Sequence, residues 1–191
     1  MNPQTWWFLS RASGMTAGIL LVLSLIWGVL LSTRVLKPAD RPAWLLAMHR
    51  WFAGMAVTAT AVHLIALVAD NYVYFGAKEL FVPMASPWKA GPVAFGIVAF
   101  YLMVLVQATS LMMRRLPKRL WRAIHMSSYA MVWLVLVHGA LAGTDATMRV
   151  YQVVALILII SAVTAAMLRV NLGRHRDATT RSPKPTKAVT P

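Results

Sequence analysis

Long apolar runs alternate with short polar segments along the whole chain, and the runs are too long for the elements of a water-soluble domain. Five of them, at about 12–33, 45–69, 91–113, 123–142 and 150–170, approach or exceed the roughly 20 residues that a helix needs to cross hydrocarbon at 1.5 Å per residue. Every backbone polar group inside lipid needs a partner within the protein, so these segments are helices rather than strands. The expected fold is all-α: a polytopic membrane helix bundle of about five transmembrane helices within residues 1–170. The first run, Gly14 to Leu31, is long for the apolar part of a secretory leader. It passes into Ser32-Thr33-Arg34 without a small-x-small cleavage site and reads as a span. Residues 171–191, rich in Arg, Lys, Thr and Pro, lack apolar periodicity and are expected to form a disordered cytoplasmic tail near anionic lipid.

The polar segments carry the orientation. Segment 34–44 holds Arg34, Lys37 and Arg41, and segment 114–122 holds Arg114, Arg115, Lys118, Arg119 and Arg122, with Pro117 as a helix breaker. With Arg50 and the six cations from Arg169 onward, fifteen of the nineteen Lys and Arg residues fall on one side. Only Arg11, Lys78, Lys89 and Arg149 fall on the other. The bias predicts an external N-terminus and a cytoplasmic C-terminus, in a plasma (inner) membrane. Loop 70–90, with Tyr72, Tyr74, Phe75, Phe81 and Trp88, suits an interfacial cap or a docking surface.

Composition sharpens this picture. The chain is 59% hydrophobic and only 13% charged, about half the charge of a soluble domain. The net charge of +14 is spread between the spans as topology signals and forms no basic face interleaved with aromatics, which excludes nucleic acid as a partner. There are no cysteines, so disulfides, iron–sulfur clusters and thiolate ligands are excluded.

Four of the five histidines lie inside spans, where histidine is uncommon. His49 and His63 are fourteen residues apart on the second span; His125 and His138 are thirteen apart on the fourth. The third span reverses direction, so the second and fourth run parallel. Their early histidines share one depth and their late ones another. Each late histidine also precedes an aspartate, Asp70 or Asp145, by seven residues. Two histidines at each of two depths describe two bis-imidazole sites, separated by about 21 Å of helix rise. That is too far for a dinuclear metal centre, and zinc would want its ligands at one point. Haem iron takes two axial imidazoles, and filling both axial positions leaves an electron relay without an open site for oxygen. A proton relay would add intramembrane carboxylates, and no Asp or Glu lies well inside a span. The bland alternative is histidines that only brace helices.

The geometry makes one demand. At 100° per residue a fourteen-residue step returns within about 40° of the same face, whereas thirteen residues leave roughly 140° of offset. The fourth span must be overwound or tilted locally, or present its second imidazole by another rotamer. Among supporting residues, Arg50 and Arg122 could pair with propionates of the inner haem and Arg11 with those of the outer one. Positive-inside topology explains Arg50 and Arg122 equally well. Gly54 and Gly139 either give a ring room to approach the backbone or help helices pack.

The stretches Met48-His49-Arg50-Trp51, Val62-His63-Leu64, Trp121-Arg122-Ala123-Ile124-His125 and Val137-His138-Gly139 resemble the ferric reductase-like transmembrane domain family. Arg11-Ala12-Ser13-Gly14 and Leu80-Phe81-Val82-Pro83 look like its bacterial members. The resemblance covers about residues 5–170. It implies two haem b groups, the inner on His49 and His125 and the outer on His63 and His138, and electron flow from the cytoplasm outward. It further implies a separate electron-donor reductase or quinol, and an external or periplasmic acceptor. A flavin or quinone is left open as a further cofactor, the basic 114–122 loop offering phosphate contacts. The chain also resembles the haem-binding subunit of the periplasmic methionine sulfoxide reductase system. Family members normally have six spans, against five here. A non-catalytic protein that binds haem for sensing, or a structural membrane protein, is the reading from another class.

Overall fold

The computed structural model describes residues 4–70 and 75–181, with side chains as far as residue 172. It is all-helical among those residues: α1 (Gln4–Thr33), α2 (Pro42–Ala69), α3 (Ala77–Phe81), α4 (Ala90–Leu111), α5 (Lys118–Met126), α6 (Ser128–Ala142) and α7 (Arg149–Arg181). Five stretches are long and apolar enough to cross a membrane: α1, α2, α4, α5 with α6, and α7 as far as Leu172. Tyr72 and Tyr74 of the loop after α2 lie outside the described residues.

The helix ends follow local chemistry. α1 starts eight residues before the expected run because Arg11, which interrupts that run, is neutralised. Its guanidinium pairs with Asp145 of the α6–α7 turn and sits 3.9 Å from the Trp7 ring centre. α2 opens with Pro42 in its first turn, where a missing N–H costs no helical bond. Arg34, at φ 56°, turns the chain from α1 towards α2 and pairs with Asp40. α7 continues to Arg181, eleven residues past the expected end, since the span supplies the helical nucleus and propagation is then easy. The remainder of the expected tail, residues 182–191, lies outside the described residues.

The fourth span is two helices. Ser127 separates α5 from α6, and its N–H bonds the Ile124 carbonyl at 3.0 Å, a three-residue closure tighter than the α-helical four. Met131 then bonds Ser127 at 2.9 Å and the α-helix resumes. This closure overwinds the fourth span locally between His125 and His138, one of the three adjustments that the thirteen-residue step allowed.

α1 and α2 pack as an antiparallel pair, as do α4 and α6; α1 also touches α6 and α7. Lys89, at the start of α4, donates to the Leu141 carbonyl near the end of α6 at 2.8 Å and ties that second pair together. Between α2 and α4 a cleft of about 500 Å3 is lined by Val57, Leu64, Phe100, Met103 and Gln107. The buried core comprises Leu21, Val22, Ala56, Ala99, Met103, Met131 and Val132, joined by Ala162 of α7. Ala56 stands midway between His49 and His63, and Met131 and Val132 stand midway between His125 and His138. The main apolar cluster is therefore centred between the two histidine levels. Outward residues such as Trp51, Ile65, Leu111 and Val150 are more than half exposed and apolar, a surface suited to lipid.

Asp145→Ala strands Arg11 beside the apolar bundle. We expect a loss of roughly 1–2 kcal/mol, discounted because both side chains keep some solvent contact. Thermal unfolding in detergent should show it, and the Arg11→Ala/Asp145→Ala pair should recover part of the loss.

Candidate functional site: two histidine pairs at two levels

Each span histidine is fixed by the helix beside it. His49 Nδ1 donates to the Ser24 carbonyl at 2.9 Å, with the Ser24 hydroxyl 3.1 Å away. His63 Nδ1 donates to the Ser10 carbonyl at 2.6 Å, and His138 Nδ1 to the Pro92 carbonyl at 2.8 Å. A carbonyl can only accept, so these three neutral imidazoles carry their proton on Nδ1 and present Nε2 as a bare lone pair. His125 differs: its Nδ1 lies 3.5 Å from the Ser110 hydroxyl, and its ring stacks on Trp121 at 5.1 Å between centroids.

One pair of rings meets across the bundle. His49 and His125 have centroids 6.0 Å apart and planes inclined at 71°. His63 and His138 are close enough to interact electrostatically. The four residues thus stand as two pairs, one at the end of the bundle that carries the basic turns and one at the other end.

Of the three arginines, Arg50 is exposed beside His49 and Arg122 is exposed three residues before His125. Arg11 lies next to Ser10, the partner of His63, but is taken up by Asp145 and Trp7. Any role towards a bound carboxylate would require that pair to exchange. Gly139 packs against Tyr151, whose hydroxyl donates to the Gly139 carbonyl at 2.6 Å, and so serves helix packing. Gly54 faces open space: a methyl added there would meet nothing within 4 Å.

These residues fit a planar tetrapyrrole. No group of three or more His, Cys, Asp or Glu that could hold a bare ion occurs among the described residues. A macrocycle brings its own equatorial nitrogens and asks the protein only for two axial ones. Two metal–imidazole bonds of about 2 Å, with half a ring on each side, put centroids roughly 6 Å apart, near the spacing of His49 and His125. Two buried indole N–H groups, of Trp27 and Trp121, find no acceptor among the described residues. Trp121 lies against His125, and Trp27 is next to Gly28, which faces His49. An acidic group bound at this level would satisfy them.

Some participants carry no side-chain signature. Ser10, Ser24 and Pro92 act through main-chain carbonyls, which no motif announces. A signal did exist: Ser10-x-x-x-Gly14 recurs as Ser24-x-x-x-Gly28 at the same fourteen-residue interval as His49 and His63.

Five apolar helices with paired imidazoles between them define a multi-pass membrane protein. The chain belongs to the ferric reductase like transmembrane component family, whose family model matches residues 13–137. Members of that family are the haem-binding membrane parts of ferric reductases. No curated protein and no solved structure is significantly similar to it.

The position of Ser127 makes a check on register possible. Inserting one Ala after Ser127 rotates His138 by about 100° relative to His125. A tetrapyrrole held at the His63/His138 level should be lost and one held at the His49/His125 level kept, so haem per protein in the purified variant should be about half that of the parent.

Proposed function

We propose that the protein is a di-haem b-type cytochrome that conducts electrons across the plasma (inner) membrane. The donor is a cytoplasmic-side reductase or quinol, and the acceptor is external. The observation that carries this reading is the pairing of Nδ1-anchored imidazoles at two levels, on helices that run parallel. His49 and His125 would hold one haem on the cytoplasmic side; His63 and His138 would hold the other on the external side. When bound, such groups supply one-electron ferrous–ferric chemistry at two depths of an insulating layer.

The protein's own part is positional. Helix carbonyls hold His49, His63 and His138 with Nε2 free, so little rearrangement accompanies a change of iron charge. Arg50 and Arg122, with the indole donors of Trp27 and Trp121, would receive the carboxylates of the inner group. The layer of Leu21, Val22, Ala56, Met131 and Val132 keeps water from the space between the levels. The excess of cations at the His49/His125 end supports a cytoplasmic location for that end.

Purified protein should carry two haems and show low-spin bis-histidine b-type spectra on reduction. His63→Ala and His49→Ala should each lower the haem-to-protein ratio to about one. In sealed vesicles, reduction from the cytoplasmic side should pass to an impermeant ferric chelate outside. Absence of b-haem bands in the wild type would overturn the cytochrome reading. Haem without transfer across the vesicle wall would favour a sensing role, and transfer only to a methionine sulfoxide reductase would specify the acceptor.

A further inference from the structure

Three of the four imidazoles are held by one repeated device. His63 donates to the carbonyl of Ser10, and the ring lies against Gly14, four residues on. His49 donates to Ser24 and lies against Gly28; His138 donates to Pro92 and lies against Gly96. A helical side chain covers the turn N-terminal to its own Cα, and so shields the carbonyls there. Glycine at the fourth position leaves the carbonyl one turn back open to a second donor. The fit is close: a Cβ would come within 2.7 Å of His138 Nδ1 at Gly96, 3.0 Å of His63 Nδ1 at Gly14, and 3.2 Å of His49 Cε1 at Gly28. His125 lacks the device. Its partner is the Ser110 hydroxyl at 3.5 Å and not a main-chain carbonyl.

We propose that Gly14, Gly28 and Gly96 are positioning residues that set ligand basicity, and that their unequal distribution splits the two reduction potentials. This rests on the di-haem reading above. An imidazole whose Nδ1–H donates to a carbonyl is a more basic, more electron-rich ligand and favours ferric over ferrous iron. The His63/His138 level has this feature on both ligands, with bonds of 2.6 and 2.8 Å; the His49/His125 level has it on one only. Charge acts in the same direction, since Arg50 and Arg122 stand at the His49/His125 level while Arg11 is neutralised by Asp145 at the other. The haem at His63/His138 therefore has the lower potential.

The test is an equilibrium redox titration of the detergent-purified protein, followed by optical and low-temperature EPR spectroscopy, with haem content measured in parallel. Two waves are expected, and His63→Ala should delete the lower one. Gly96→Ala and Gly14→Ala should raise only the lower wave and shift its low-field EPR signal, Gly96→Ala the more. Gly28→Ala should raise only the upper wave. Gly91→Ala, with nothing within 4 Å of the added methyl, should move neither. If Gly96→Ala sheds its haem, Gly28→Ala decides, because there the ring need give by only a few tenths of an ångström. The inference is overturned if the glycine variants keep two haems with both potentials and both signals unmoved, or if the His63/His138 haem titrates above the other. A wild type without haem would instead sink the cytochrome reading.

Discussion

An imidazole inside a bilayer has two ring nitrogens and no water to satisfy them, and this constraint organises the bundle. One nitrogen must find a partner within the protein before the other can be offered to anything else. Here the partner is a helix carbonyl already engaged in its own backbone ladder. Such an oxygen has a second lone pair, but the imidazole can reach it only where the neighbouring helix comes very close. The antiparallel register of α1 on α2 follows: Ser10 and Ser24 on one helix meet His63 and His49 on the other, at equal fourteen-residue intervals. Serine is small enough for these positions; the Ser10 hydroxyl turns back to the Trp7 carbonyl at 3.0 Å, and the Ser24 hydroxyl lies 3.1 Å from His49 Nδ1.

The same register decides where the apolar core can sit. With polar hydrogen bonds concentrated at two levels, the space between them is left to Val22, Ala56, Ala99 and Val132, all almost wholly buried. Small buried alanines such as Ala56 and Ala99 let neighbouring helices approach without a hydrophobic driving force, which lipid does not supply. The main apolar cluster is thus central and flanked by the two histidine levels, with further buried residues such as Val29, Leu45 and Ala66 beyond them.

Much of this was legible in the sequence. Five spans and two histidine depths follow from apolar run length and helical rise, and the thirteen-residue step already demanded a disturbance in the fourth span. What the residues did not disclose was its location. Ser127 has nothing unusual about it, and a three-residue closure there depends on how α5 docks on α4. The early start of α1 was also hidden, because Arg11 looks like a span boundary until Asp145, more than a hundred residues later, is brought beside it. Gly14 could be read as part of a motif and Gly54 as room for a ring. Only the packed helices show that Gly14 touches an imidazole while Gly54 faces open space.

The division of contacts has a consequence for biogenesis. α1 satisfies both histidines of α2, and α4 supplies the partners of both histidines on α5 and α6. Each half of the bundle therefore pairs its own span histidines, while Arg11 of the first half finds its partner only in Asp145 of the second. The two imidazoles of each pair nevertheless come from opposite halves, across the side where α2 and α4 leave a cleft. Whatever bridges those imidazoles also fastens the halves to each other. On the di-haem reading, maturation would close this seam between the two halves, with each haem as a clasp across it.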